Sequence, residues 1–480
     1  MSARTRELFG LLPVSLLVVA GFAAVLATRT DDIQDATLTY GAVFLGLCVM
    51  AHLFIRARLP DADPYLFPLA ALLAAMGLVL IYRIDTELAR EQAQWFVVGL
   101  IFFCATILLI RDHHVLERYR YLIAAASIAL LLMPRVPGIG AQVNGAFLAI
   151  KVGPIQFQPA EFAKLGIINF LASYLRETGD ILVRPRLRPL PYQRQLLLYG
   201  LPALGTLLAI LVLGLGPAGS ILLVVFVASF VAVLRDRPSP KHFGPLLLVW
   251  GLAMLMLIFI RDLGSSLMFF GGFLALLYVA TGRLSIVGVG ATMFFGGAFF
   301  LAENVSHVHE RVQIWLDPFN SDRIDDEGYQ IAQSLFAQGD GGLFGQGFGN
   351  ALLELPGGGT ILPAAHTDLI YSVLVNEAGL FGAAGLVGAY LLLVFRGFKI
   401  GMLASDGFSK LLAVGLTSVL GLQVFVIVGG VTNVIPLTGV TLPLVSYGGS
   451  SLLANMVLLA LLLIISDSAR RERIRRGGLV

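Results

Sequence analysis

The chain has 480 residues, of which 57% are hydrophobic and only 13% charged, with a formal net charge of +3 at pH 7. Apolar runs long enough for a bilayer helix recur from end to end, and no soluble core could hide so many, so a soluble globular enzyme is excluded. The net charge by itself says little about partners; the distribution of the basic residues along the chain says more.

In chain order, spans are expected at roughly 8–28, 39–55, 64–82, 95–110, 121–134, 161–175, 196–214, 217–234, 243–260, 263–280, 285–302, 368–395, 408–430 and 449–466, about fourteen in all. The chain therefore reads as an all-α polytopic membrane protein. The first run lacks a cleavage site ahead of a soluble segment and reads as a span, not a removable signal. Cys48 and Cys104 lie inside apolar runs and read as small apolar residues, neither a disulfide nor a metal pair.

With the N-terminus inside, the inside loops collect most of the Lys and Arg. Arg56, Arg58, Arg111, Arg118, Arg184, Arg186, Arg235, Arg237 and the tail from Arg470 to Arg476 all fall there. The positive-inside rule then makes both termini cytoplasmic, and the basic clusters report topology and contact with anionic lipid, not nucleic acid.

The longest loop, residues 303–367, lies outside on this topology, between the eleventh and twelfth spans. It contains "DPFNSDRIDDEGYQ", which gathers Asp317, Asp322, Asp325, Asp326 and Glu327 within one short stretch. A Gly-rich run, "GDGGLFGQGFGNALLELPGGGT", follows. Its Gly345-x-Gly347 spacing succeeds no strand and lacks a Gly-Lys-Ser/Thr ending, so it reads as tightly turning backbone, not a nucleotide loop.

Charges near the membrane need a reason. In "QPAEFAK", Pro159 suits a first helical turn and sets Glu161 and Lys164 three apart on one face. The pair is either a structural ion pair or a Lys aimed at an anionic ligand with Glu161 orienting it. Arg261-Asp262 reads as a turn with a local salt bridge. "TNVIPLTGVTLPLVSYGGSS", residues 432–451, is broken by Gly and Pro and rich in hydroxyls. Such backbone at membrane depth reads as a cavity wall. His366-Thr367-Asp368 opens the next span, either as a helix cap or, with an acid of the loop, as a metal site.

Four stretches, "NGAFLAIKVGPIQFQPAEFAKL", "GYQIAQSLFAQGDGGLFGQGFGN", "HTDLIYSVLVNEAGLFG" and "TNVIPLTGVTLPLVSYGGSSLL", occur in the order seen in the RodA/FtsW/SpoVE proteins. The chain resembles this family, the SEDS proteins of bacterial cell-wall synthesis, over about residues 64–466, most like an actinobacterial-type member. The resemblance implies a family core of about ten spans with additions: extra spans in 1–63, a first core part in 64–302 with a two-helix insertion at 196–234, a catalytic loop at 303–367, three last spans in 368–466 and a basic tail at 467–480.

It also implies a function. Family members polymerise lipid II, an undecaprenyl-pyrophosphate-linked disaccharide peptide, outside the cytoplasmic membrane, with a class B penicillin-binding protein as transpeptidase partner. One Asp of the large loop is regarded as catalytic. The matching stretch is led by Asp317-Pro318, and its spacer before Gly328-Tyr329 is longer than usual, so the base is Asp322, with Asp325 and Asp326 as alternates. Residues placed at the substrate by the resemblance are Glu161, Lys164, Arg311, Tyr329, Gln330, Ser334, His366, Asp368, Asn433, Ser446, Gly448, Gly449 and Ser450. A divalent ion, Mg or Mn, on Asp322, Asp325 or Asp326 is a further expectation; no organic cofactor is expected. Phe147-Leu148, Arg261 and Ala364 depart from the family pattern.

The chemistry fits one carboxylate. The acceptor's 4-hydroxyl is a poor nucleophile until a base takes its proton, whereas pyrophosphate leaves as a stable anion and needs no acid. A flippase or other transporter would need charge along a path through the midplane, and a scaffold for a transpeptidase would need only an acidic loop. The polar motifs gather at one face, which favours the polymerase.

Overall fold

The computed structural model describes residues 3–28, 36–143, 146–152, 155–183, 199–213, 217–236, 251–252, 263–351, 354–355 and 359–477. The helices are α1 Ala3–Gly10, α2 Leu12–Thr28, α3 Ala36–Arg58, α4 Leu66–Ile84, α5 Thr86–Leu109, α6 His114–Arg118, α7 Arg120–Leu132, α8 Pro159–Val183, α9 Leu201–Leu213 and α10 Pro217–Asp236. They continue as α11 Leu263–Thr281, α12 Leu284–Asn304, α13 Ser306–Leu316, α14 Tyr329–Gly341, α15 Ile370–Leu403, α16 Gly407–Val431 and α17 Gly449–Arg475.

Eight helical stretches among the described residues are long and apolar enough to cross a membrane. The first joins α1 and α2 into one run, Ala3–Val25; the others fall on α3, α4, α5, α11, α15, α16 and α17. The remaining expected spans fall on α7, α8, α9, α10 and α12, apart from 243–260, nearly all of which lies outside the described residues, as do Arg261 and Asp262. α8 runs much further than expected, Pro159 to Val183, and α15 begins at Ile370, leaving His366 and Asp368 in the turn before it.

α16 and α17 form the centre. Of α17's most apolar stretch, 89% is buried, against 28% for the N-terminal one. α17 packs on α5; α16 packs on α15, α11 and α8; α4 joins α2, α5 and α15. Between helices in a bilayer there is no hydrophobic drive, so close packing has to hold them. Gly77 of α4 lets the helix touch the backbone at Val445, where an added Cβ would lie 2.4 Å from the carbonyl oxygen.

The all-α expectation needs one addition. A three-stranded antiparallel sheet, β1 Gly140–Val143, β2 Ala146–Val152 and β3 Ile155–Phe157, precedes α8, and a two-stranded ribbon, β4 Glu354–Leu355 and β5 Gly359–Thr360, lies in the large loop. That loop is also partly helical, carrying α13 and α14.

At the end of the bundle away from this loop, ion pairs tie the N-terminal helices to the core. Glu7 of α1 pairs with Arg4 and with His52 of α3, and Arg4 also donates to the Ala62 carbonyl. Asp63 accepts from Arg396 Nε at 3.1 Å and from Arg470 at 3.0 Å, joining the end of α3's connection to α15 and α17.

Candidate functional site

The polar segment from Thr432 to Gly448 has no regular secondary structure, and most of the expected site residues are tied to it. Irregular backbone at this depth must find partners inside the protein, and four helices and the turn before α15 supply them. From α8, Lys164 Nζ donates to Glu161 at 2.6 Å and to Gln423 Oε1 at 2.8 Å, while Gln423 Nε2 donates to the Thr441 carbonyl at 2.9 Å. Lys164 is 2% exposed and Glu161 5%, so this is a desolvated chain from one carboxylate to the wall. Gln158 N, just ahead of α8, donates to Ser450 Oγ at 3.0 Å.

From α5, Gln92 Nε2 donates to the Ser446 carbonyl at 3.3 Å, Glu91 accepts from the Tyr447 hydroxyl, and Trp95 lies flat against Gly449. A Cβ on Gly449 would sit 2.4 Å from the indole, so only glycine admits that ring. From the turn before α15, the His366 carbonyl accepts from Tyr447 N at 2.8 Å and the Thr367 carbonyl from Ser446 Oγ at 2.6 Å. Gly448 N reaches Gln92 Oε1 at 3.4 Å.

α13 closes the other side. Arg311 donates to the Leu437 carbonyl at 2.7 Å, Trp315 Nε1 to the Asn433 carbonyl at 3.1 Å, and Asn433 Nδ2 returns a bond to the Trp315 carbonyl at 3.1 Å. Asn433 adopts φ +58, a left-handed value uncommon outside glycine and held here by the two bonds with Trp315; Leu444 adopts φ +67. Asp368 is buried close to Gly439. Burial pushes its carboxyl up to about 6, against the opposing pull of Arg311 and a hydrogen bond from Thr367. Burial likewise lowers His366, with Asp85 pulling the other way.

The acids stand apart from this buried assembly. Asp322, Asp325, Asp326 and Glu327 are exposed on the turn between α13 and α14. The turn folds on itself: Asp317 accepts from Asn320 Nδ2 at 3.1 Å, Asp322 N donates to Asn320 Oδ1 at 3.0 Å, and Gly328 N to the Arg323 carbonyl at 2.9 Å. Tyr329 and Gln330 follow, half-buried at the start of α14. Ser334 is fully buried and not with the acids; it shares a 2.7 Å hydrogen bond with Ser372 and donates to the Val431 carbonyl at 3.1 Å, tying α14 to α15 and α16.

The Gly-rich run finds a different use. α15 is broken at Gly379 (φ +66, ψ −169). Broken helix leaves backbone groups without partners, and the run supplies them: Gln346 N to Asn376 O at 2.8 Å, Gly347 N to Glu377 O at 3.1 Å, Leu380 N to Gly342 O at 2.9 Å, and Phe381 N to Leu343 O at 3.1 Å. Arg83 of α4 pins the same place, donating to the Gly349 carbonyl at 2.6 Å and the Ala351 carbonyl at 3.1 Å and lying 3.2 Å from buried Glu377. Sequence reasoning missed Gln423, Gln92, Trp315 and Arg83, and placed Glu377 along the span after His366-Thr367-Asp368 without a role. An isolated polar residue within an apolar run was the available signal for Gln423.

The FtsW/RodA/SpoVE family model, described as cell cycle protein, matches residues 64–235 and 219–471. The chain is 38% identical over 485 residues to the peptidoglycan glycosyltransferase RodA of Mycobacterium tuberculosis (strain ATCC 25618 / H37Rv), covering 97% of this chain and 92% of that one. It is 27% identical over 421 residues to the stage V sporulation protein E of Bacillus subtilis (strain 168), covering 85% and 98%. Two solved structures are similar at 27% identity. One is described as a peptidoglycan synthase complex coordinating polymerization and crosslinking (TM-score 0.57, 85% of this chain and 98% of that one). The other is the rod shape determining protein RodA of Thermus thermophilus (TM-score 0.50, 84% and 96%). The family model begins at residue 64, whereas the mycobacterial match takes in nearly the whole chain, N-terminal helices included.

Proposed function

Because the chain belongs to the FtsW/RodA/SpoVE family and is a peptidoglycan glycosyltransferase that polymerises lipid II, we propose how its residues divide the reaction. Asp322 is the general base. It takes the proton of the acceptor sugar's 4-hydroxyl as that oxygen attacks the donor's anomeric carbon, and undecaprenyl pyrophosphate leaves with the bonding pair. Direct displacement inverts an α-linked donor into a β-linked strand. The observation that carries the reading is the placing of an exposed acidic turn immediately after α13, the helix clasped to the polar wall through Arg311 and Trp315. A base must be reachable by substrate and still be held.

The leaving group's charge needs cations nearby. Lys164 is already spoken for by Glu161 and Gln423, so its part is to set the position of Thr441 in the wall. Arg311, half-buried at the wall and next to the acid turn, is better placed to face pyrophosphate.

A Mg or Mn ion on Asp322, Asp325 and Asp326 would require their oxygens to converge. Among the described residues the one convergent group of metal-ligating side chains lies elsewhere, at Asp112, His113 and His114. The acids of the turn are not preset as a ligand set, and no step is routed through a metal.

The protein works in the bacterial cytoplasmic membrane, both termini inside and the acid turn outside. A class B penicillin-binding protein supplies cross-linking, its single apolar helix lying along α15. There Leu380, Phe381 and Ala384 are exposed, and a groove of about 660 Å³ runs on past Gly385, Leu391 and Phe395. The similarity to a synthase complex that coordinates polymerization and crosslinking supports this partnership.

The test is polymerisation of labelled lipid II by purified protein with its partner. Asp322→Asn should abolish strand formation while leaving membrane level and thermal midpoint unchanged. If Asp322→Asn is active and Asp325→Asn or Asp326→Asn is dead, the base is misassigned; if all three polymerise normally, the assignment of the base to these three acids fails.

A further inference from the structure

At the end of the bundle opposite the large loop, the turn after α5 meets the turn before α16. α5 is 24 residues long, on the order of 36 Å at 1.5 Å per residue, which separates the two ends by the thickness of a bilayer. Here Asp112, His113 and His114 have ligand atoms all within 4.8 Å of one another. Asp406, nearly 300 positions on in sequence, comes to the same point.

The geometry within the group is specific. Asp112 Oδ1 lies 2.8 Å from His114 Nδ1, which fixes the ring so that Nε2 turns away from Asp112. His114 Nε2 then faces Asp406 Oδ2 across 3.6 Å. That gap is too long for a hydrogen bond. It is about the edge between two ligands of a tetrahedral zinc ion at the usual nitrogen and oxygen distances of about 2.0–2.2 Å. A carboxylate on one ring nitrogen with a metal on the other is the arrangement by which proteins orient ligating histidines. His113 lies beside His114 with ring centroids 4.4 Å apart, the planes tilted by 36°, and its Nε2 is 2.5 Å from Ser409 Oγ, inside the first turn of α16. Asp406 also caps that helix through Ser409 N at 2.9 Å, and its Oδ2 accepts from the Ser409 hydroxyl at 2.5 Å, so that hydroxyl, which also meets His113 Nε2, has to turn aside when an ion takes both atoms. The neighbouring Glu117 is engaged by Arg176.

We propose that His113, His114 and Asp406 form a binding site for a divalent transition metal of the zinc class, with Asp112 orienting His114. Two imidazoles and a carboxylate suit Zn²⁺ and Co²⁺ rather than Mg²⁺ or Ca²⁺, which prefer oxygen. Bound there, the ion clips the end of α5 to the start of α16, whose other end carries Gln423 and leads into the polar wall. It is distinct from the acid turn and takes no part in the glycosyl transfer.

The test uses the full chain purified in detergent, stripped with chelator and titrated with Co²⁺ as a spectroscopic probe, then with Zn²⁺. The wild type should bind one ion per chain, show the intense visible absorption of a low-coordinate Co²⁺ site, and gain thermal midpoint on adding Zn²⁺. His114→Gln and Asp406→Asn should each weaken binding at least tenfold; His114 is half-exposed and Asn is itself a good helix cap, so both variants should fold. Asp322→Asn should bind as the wild type does. Failure of the wild type to retain an ion, or equal retention by both variants, overturns the proposal.

Discussion

Trp315 and Asn433 hold each other twice: the indole Nε1 donates to the Asn433 carbonyl, and the Asn433 side-chain amide donates to the Trp315 carbonyl, both at 3.1 Å. Residues 118 apart in sequence are thereby fastened backbone to side chain in both directions, immediately before the acid turn.

This clasp gives the first prediction. Asn433→Ala removes one bond and also places a Cβ-bearing residue without a polar side chain at φ +58, costing about 1–2 kcal/mol. Asn433→Gly relieves the backbone but still lacks the amide. If the clasp positions the acid turn, both variants should lose polymerase activity about tenfold, with Gly recovering most of the stability. Full activity in the Gly variant would mean that only the backbone conformation matters.

Asp368 sets a pH dependence. Burial raises its folded pKa from 3.8 to about 6, so the folded state binds the proton more tightly than the unfolded one. Its favourable contribution is complete below the unfolded value and is lost as pH rises through about 6. Asp368→Asn should therefore stabilise the protein at pH 8, by up to about 3 kcal/mol, and make no difference near pH 3.5. Thermal midpoints across that range decide it. A destabilised Asn variant at pH 8 would show that Arg311's attraction outweighs burial.

The Glu161–Lys164 pair predicts an asymmetry. Lys164→Ala strands a buried carboxylate and frees Gln423, and should cost about 3–5 kcal/mol. Replacing both charges with leucine should recover most of that stability, since a buried pair is often no better than apolar packing. Because Thr441 loses its indirect tether to α8, polymerisation in the double variant should stay low. Recovery of activity together with stability would confine the pair to holding helices together.

The partner's helix can be mapped by cysteine cross-linking from α15. Ala384 and Phe381 are exposed, whereas Ala383, one position away, is 1% exposed and faces this protein's own core. Cross-links to the penicillin-binding protein are expected from Ala384 and Phe381 and not from Ala383. Equal cross-linking from a residue on the far side of the bundle, with normal stimulation, would move the docking surface.

How much of this was legible in sequence follows from how local each feature is. α16 and α17 announce themselves as unbroken apolar runs, and Glu161 with Lys164 are neighbours on one helix, so both were readable. The partners of Lys164 were not: Gln423 lies 259 positions away, and nothing in either stretch names the other. The sheet before α8 did leave a signal. Asn144-Gly145 separates two runs rich in β-forming residues, the usual mark of a hairpin, but a reading for spans leaves residues 135–160 between two of them without an element. The acid turn was visible as charge density alone; that it stays exposed while Asp368 is buried depends on α13, which a reading for spans passes over.

The paired backbones at Gly379 bear on which parts of this loop can change length. Residues 342–347 are joined to 376–381 by four backbone bonds, and an added Cβ at Gly345 would fall 2.1 Å from the Glu377 carbonyl oxygen. Insertion or deletion of a single residue in either strip would throw the whole pairing out of step inside the membrane boundary. Among the described residues the acid turn carries no such backbone register: the hydrogen bonds made by Asn320 Nδ2, Asp322 N and Gly328 N are internal, its acids are exposed, and Phe319 reaches Phe336 of α14 through side chains alone. Lengthening of the spacer before Gly328-Tyr329, which the family resemblance implies, would be absorbed there.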